Sequence, residues 1–337
     1  METRSSRGGY PVGMAAIPRR PPRLARGLSG LSVLIAALIL GACTAATLST
    51  PSSPTASTPG SVTSPSTSGS GPTRIPYLTD LEDPVGTTRL LFAMLDTKNV
   101  SIGAPDLVVG VAFYDVAKST TTPVATAPAT FLWTVPGQRG IYEVTTTFGE
   151  AGDWIAEFTS SKDGLTERTR VNFQVAAKSS TPVIGAKAPD TDTPTLADVG
   201  GDVKQVSTDT NPDLDFYKVS VHDALAAHQP FVLVFATPAF CQSRVCGPTL
   251  DSIKTIATTE PGVTFINVEP YKMSFADGHL KALFDASGYL QATDVTNAWG
   301  LPTEPWIFVV DRDGIVRGSW STVVSPAALT AAIDAVK

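Results

Sequence analysis

The order of apolar and polar positions divides the chain into stretches of different character. Between residues 78 and 177 no helical period is sustained. Runs such as IYEVTTTF (141–148) and WIAEFTS (154–160) alternate apolar with polar residues. TRLLFAML (88–95), DLVVGVAFYDV (106–116), ATFLWTV (129–135) and RTRVNFQV (168–175) are equally short and strand-like. Turn signals PGQRG, GEAGD and SKDG separate several of them. Short strands with regular turn punctuation predict a β-sandwich. Its tryptophans, Trp133 and Trp154, are expected in the core. After a polar break near residues 176–194, element types alternate. SVHDALAAH (220–228) and PTLDSIKTIATT (248–259) have helical spacing, and PFVLVFA (230–236) and VTFINVEP (263–270) read as buried strands. HLKALFDAS (279–287) and ATDVTNAWG (292–300) read as helical. WIFVVDRDGIVRGSWS (306–321) predicts two strands around an Asp-Gly turn, and SPAALTAAIDAV (325–336) a closing helix with Ser325 as N-cap. The fold expected is therefore a multidomain chain, a β-sandwich over 78–177 followed by an α/β domain over 179–337.

The remaining stretch is N-terminal. Arg4, Arg7, Arg19, Arg20, Arg23 and Arg26 precede the apolar run LSVLIAALIL and the small residues of LGAC (40–43). A basic region, a short apolar core and small residues describe a secretory signal, and the core is short for a membrane span. LGAC resembles the lipobox of bacterial lipoproteins, which implies cleavage after residue 42 and lipidation of Cys43. Residues 43–77, almost wholly Ser, Thr, Pro, Gly and Ala in their first three-quarters, are expected to be a disordered tether, because they offer too little apolar surface to fold. Loss of residues 1–42, with their six arginines and Glu2, takes the formal charge from −6 to −11. An acidic body excludes nucleic acid as the expected partner. With Cys43 lipidated, Cys241 and Cys246 are the remaining thiols of a chain with three cysteines. Outside the cytosol an isolated pair is expected to be a disulfide.

FVLVFATPAFCQSRVCGPTLDSI (231–253) resembles the core strand and cysteine-bearing helix of the thioredoxin-like family. WGLPTEPWIFVVDRDGIV (299–316) resembles the family's segment in which a cis-proline opens the next strand, and VIGAKAPDTDTPTL (183–196) the start of its secreted oxidoreductase and redoxin branch. The sandwich region, in GIYEVTTTFGEAGDWIAEF, resembles immunoglobulin-like modules of bacterial envelope proteins. The resemblance implies a membrane-anchored, extracytoplasmic thiol-disulfide oxidoreductase acting on protein thiols or disulfides of the cell envelope, with no cofactor and no metal. Cys241 would attack, Cys246 would resolve the mixed disulfide, and Pro305 would be the cis-proline. Glu304 and Trp306 would line the substrate site. A counterpart of the family's buried acid is not identifiable.

The departure from the family is the spacing. Its motif is Cys-x-x-Cys, whereas four residues separate Cys241 from Cys246. On a continuous helix, positions five apart are separated by about 7.5 Å along the axis and rotated by about 140°. That is beyond the roughly 7 Å Cα separation a disulfide accepts. Cys241 must therefore lie in the loop, or the first helical turn must be unwound, and CGP (246–248) is suited to a helix start. Other readings remain open. A thiol peroxidase of the one-domain peroxiredoxin kind would need Thr three positions before the cysteine, where Pro238 stands. A copper chaperone of the Sco type would need a histidine after the cis-proline strand. His222, His228 and His279 all precede it and are expected at the surface, leaving Met273 as the nearby soft donor. A non-enzymatic binding lipoprotein with a structural disulfide is the fourth reading. The acidic stretch 190–215 lacks the terminal Glu of a calcium loop and is expected to be solvated.

Replacement of Cys43 by Ser should abolish lipid labelling and leave the chain either released or uncleaved. Membrane fractionation with labelled fatty acid checks this; a variant anchored and processed like the parent rules out the lipid assignment.

Overall fold

The computed structural model describes residues 71–79 and 82–337. The signal segment, Cys43 and most of the tether lie outside the described residues. What is described is a β-rich, multi-sheet fold with few helices.

The N-terminal part is two sheets packed face to face. The first has strand order β1 (Ile75–Leu78), β3 (Gly86–Leu95), β7 (Arg139–Phe148), β6 (Thr130–Val135), all antiparallel. The second runs β2 (Asp83–Pro84), β9 (Leu165–Ala176), β8 (Gly152–Lys162), β4 (Val108–Asp115), β5 (Ala125–Pro128). The last residues of the tether read from composition are instead a strand, because Ile75–Leu78 pairs with the far end of β3. The period of two places Leu90, Phe92 and Met94 of β3 and Val109, Val111 and Phe113 of β4 in the space between the sheets, with Trp154 and Phe158 of β8. Trp133 departs from expectation. It is 42 % exposed, its indole set edge-on against Phe131 on the edge strand β6.

The following residues form a four-stranded mixed sheet. Its order is β11 (Thr264–Val268), β10 (Phe231–Phe235), β14 (Trp306–Val310), β15 (Val316–Ser321). The β10–β11 pair is parallel and the other two are antiparallel. Every residue of β10 is fully buried, as its unbroken apolar run requires of a central strand covered on both faces. Val232 and Val234 pack with α2 (Cys246–Ala257) and α4 (Pro326–Asp334), while Phe231, Leu233 and Phe235 pack with α1 (Val221–Ala226) and Trp299, which follows α3 (Asp294–Ala298). Side-chain N-caps from Ser220, Thr293 and Ser325 start α1, α3 and α4. The connecting segment passes so close to the end of α3 that a Cβ on Gly300 (φ 63°) would lie 2.0 Å from the Ser180 carbonyl oxygen.

Two segments differ from the sequence reading. HLKALFDAS, read as helical, instead contributes β13 (His279–Ala282), paired with β12 (Met273–Ala276). The connecting Asp277-Gly278 has positive φ at both residues, the two-residue hairpin turn that Asp-Gly favours. The acidic stretch 190–215 is not simply solvated: Thr193, Thr195, Val206 and Ser207 are buried, and it carries a short 3-10 turn at Val203–Gln205.

The two parts hold together as one compact unit. β3 is apolar on its outer face as well, and Leu91 joins Leu132, Ile141 and Val323 in a small separate core. Above it Arg89, paired with Glu143 at 2.5 Å, donates to the carbonyl oxygens of Ser321 (3.2 Å) and Val323 (2.6 Å). Truncating Arg89 to Ala would leave buried acceptors and Glu143 without this donor. It should lower the stability of the full chain by about 1–3 kcal/mol in urea unfolding; a loss below a few tenths would show that the contact is not formed in solution.

Candidate functional site

The chemistry-bearing side chains collect where β10 ends and β14 begins. Phe235 stands opposite Trp306, so the loop that leaves β10 and the loop that enters β14 meet at one end of the sheet. The first carries Cys241 and Cys246, which form a disulfide with their Cα atoms 5.9 Å apart. Cys246 is the first residue of α2 and fully buried; Cys241 lies in the preceding loop and is half-buried. The four-residue gap is thus accommodated outside the regular helix. Arg244, exposed and at φ 60°, turns the chain between the two cysteines. The Cys246 N–H points at Cys241 Sγ (3.2 Å), and Ser243 Oγ lies 3.3 Å from the same sulfur.

The second loop carries Glu304 and Pro305, joined by a cis peptide bond, both buried. The Glu304 carboxylate accepts from the Gln242 N–H through Oε1 (3.0 Å) and from the Tyr271 hydroxyl through Oε2, while its backbone carbonyl accepts from Ser243 Oγ (3.3 Å). Glu304 therefore braces the cysteine loop. Burial and the adjacent carboxylate push the Tyr271 hydroxyl well above the usual phenol range, so it stays a donor. The Pro305 carbonyl accepts from the Thr322 N–H (2.8 Å), and the Thr322 carbonyl accepts from Thr249 Oγ1 on α2 (3.2 Å). Trp306 is half-buried, its indole N–H on Ser319 Oγ (3.1 Å). It lines a cavity of about 660 Å³ together with Pro302, Thr303, Trp320, Val183 and Ile184, and the sandwich closes the other side with Gly86–Arg89.

The histidines are elsewhere. His222 pairs with Asp190 (2.8 Å), His228 contacts the Arg312 carbonyl and His279 lies in the β12–β13 hairpin; all are exposed. Met273 starts the same hairpin.

An acid with a sealed carboxylate oxygen that the sequence reading did not find is Glu269, just past β11. Oε1 accepts from the Thr208 N–H (2.6 Å), and the Thr208 hydroxyl accepts from the Ala239 N–H (3.2 Å), two residues before Cys241. Oε2 is sealed from solvent beside the Thr237 hydroxyl. Loss of hydration outweighs the bonds it does make and raises its carboxyl to about 7. The signal was available: a carboxylate closing the buried run VTFINVEP.

A scan against protein-family models and a search of curated proteins returned no match. Among solved structures, the chain is similar over 32 % of its length to astrotactin-2, a vertebrate-specific, perforin-like membrane protein (10 % identity, TM-score 0.24, 22 % of that chain). Over 63 % of its length it is similar to a Bacteroides vulgatus protein named as a glycoside hydrolase (12 % identity, TM-score 0.19, 35 % of that chain). The chain thus spans about a fifth and about a third of these two proteins, and overlaps this slight carry no argument about fold or function.

Because the folded state holds the Glu269 proton more tightly than the unfolded chain does, this group's contribution to stability is complete below about pH 4.5. It is lost as pH rises through about 7. Glu269→Gln should melt like the parent near pH 4.5 and be more stable above pH 7, by up to about 3 kcal/mol. Melting temperatures of the two proteins across pH 4–9 check this; a constant difference rules it out.

Proposed function

We propose that this protein is a membrane-anchored, extracytoplasmic thiol-disulfide oxidoreductase, with a thioredoxin-like C-terminal domain behind an immunoglobulin-like sandwich. The observation that carries the reading is the asymmetry of the disulfide: a reachable Cys241 in a loop, and a buried Cys246 at the start of a helix, beside a cis-proline. The order strand, helix, parallel strand, antiparallel hairpin, helix supports the fold assignment. The Cys246 N–H aimed at Cys241 Sγ, at the positive end of a 12-residue helix, favours a thiolate on Cys241 after reduction.

In the reducing direction the Cys241 thiolate attacks one sulfur of a substrate disulfide. The other substrate sulfur leaves as a thiolate and takes a proton from solvent. Cys246, deprotonated, then attacks Cys241 Sγ, which releases the second substrate thiol and restores the intramolecular disulfide. Two electrons pass to the substrate, and an envelope dithiol returns them. With a disulfide-forming partner the same steps run backwards.

Cys246→Ser should accumulate mixed disulfides with envelope proteins, because Cys241 attacks and nothing releases the product. Cys241→Ser should accumulate few. Non-reducing electrophoresis of the two strains checks this. Trapping by Cys241→Ser alone reverses the roles; trapping by neither, with a reduction potential below about −300 mV, makes the bridge structural and the chain a binding lipoprotein.

A further inference from the structure

Cys241 Sγ, Cys246 Sγ and a Glu304 carboxylate oxygen lie within 4.8 Å of one another, in a place where Cys246 and Glu304 are both buried. While the sulfurs are bonded to each other they offer no thiolate. Reduction frees both sulfurs as donors beside that carboxylate oxygen. Two thiolates beside a carboxylate would concentrate three negative charges at a site shielded from water, a costly arrangement unless the thiols stay protonated or a cation enters. We propose that the reduced protein binds one zinc ion through Cys241, Cys246 and Glu304. The sequence kept a copper reading open with a distant histidine as third ligand, but it did not bring Glu304 to the cysteines, because that carboxylate comes from a separate loop.

The donor set selects the metal. Thiolates disfavour calcium and magnesium, and a carboxylate oxygen is a poor partner for Cu(I); two sulfurs with one oxygen suit Zn²⁺, with water as a fourth ligand. Two thiolates at about 2.3 Å from a tetrahedral ion stand about 3.8 Å apart, a separation the sulfurs can reach once their bond is broken, because Cys241 is in a loop. Glu304 is already oriented: the Gln242 N–H holds Oε1 and the Tyr271 hydroxyl holds Oε2, and each oxygen keeps a further lone pair. The chemistry needs one co-reactant, a dithiol of the kind that serves the exchange reaction. A dithiol reductant gives two electrons and two protons to the disulfide and becomes a disulfide itself. Zinc then displaces the two thiol protons to solvent with no change of oxidation state. The site goes beyond the exchange reaction proposed above, since a bound ion would cap both thiols and withhold them from substrate.

The test uses the full-length chain with Cys43→Ser in every sample, so that Cys241 and Cys246 are the only thiols. After reduction and anaerobic removal of reductant, zinc is titrated against a chromophoric chelator, and Co²⁺ is added separately as a spectroscopic probe. The reduced protein should bind one zinc and, with cobalt, show thiolate-to-metal charge-transfer absorption. The oxidised protein should do neither. Glu304→Gln should bind at least ten-fold more weakly, and Tyr271→Phe about ten-fold more weakly. Equal zinc affinity in the reduced parent and Glu304→Gln would reduce the site to a plain dithiol and overturn the proposal, as would equal binding by the oxidised chain. If Glu304→Gln does not fold, unchanged affinity in Tyr271→Phe overturns it instead. Zinc binding without trapped mixed disulfides removes the exchange reading and leaves this site; trapping without zinc binding does the reverse.

Discussion

The antiparallel register that sets Phe235 against Trp306 is the constraint on which the site depends. Side chains on a strand alternate with a period of two, so a slip of one residue would exchange Ile307 and Val309 with Phe308 and Val310 between the two faces of the sheet. The faces are not equivalent. One sets Val232, Val234, Ile307 and Val309 against α2 and α4, and the other sets Phe231, Phe235 and Phe308 against α1 and Trp299. That difference fixes the register, and the register in turn brings the cysteine loop and the Glu304–Pro305 loop to the same end.

Two acids flank that end in different hydrogen-bond surroundings. Glu304 receives two strong donors and is held as a brace. Glu269 accepts from the Thr208 N–H, and burial outweighs this and the nearby Thr237 and Thr208 hydroxyls, so the proton is retained to near neutrality. Both stabilise the cysteine loop, Glu304 directly through Gln242 and Glu269 through Thr208 and Ala239. The loop is thus clamped from both sides of the sheet end, while the sulfur of Cys241 remains reachable.

Strands and helix starts were the legible features. The unbroken run in β10 and the Gly-Pro after Cys246 each carry a local physical reason for their conformation. The β12–β13 hairpin was misread because HLKALFDAS spaces its apolar residues as a helix would, while the Asp-Gly turn before it decides the outcome. Trp133 was placed in the core on side-chain character alone, although its strand is an edge. Glu269 and Tyr271 escaped because their partners lie tens of residues away. The continuous apolar run in β3 held a clue that alternation would not: a strand buried on both faces needs a second cover, and Val323 is part of it.

Arg89 holds the carbonyl oxygens of Ser321 and Val323, and the residue between them, Thr322, donates to Pro305 and accepts from Thr249 on α2. One tripeptide is therefore gripped by the sandwich at its ends and by both halves of the site at its middle. A displacement of the Arg89 guanidinium would therefore be felt at Pro305 and at Thr249 of the cysteine helix across a single residue, Thr322. The guanidinium takes hold of backbone oxygens, so its grip reads no side chain; Val323 is held by its packing with Leu91, Leu132 and Ile141.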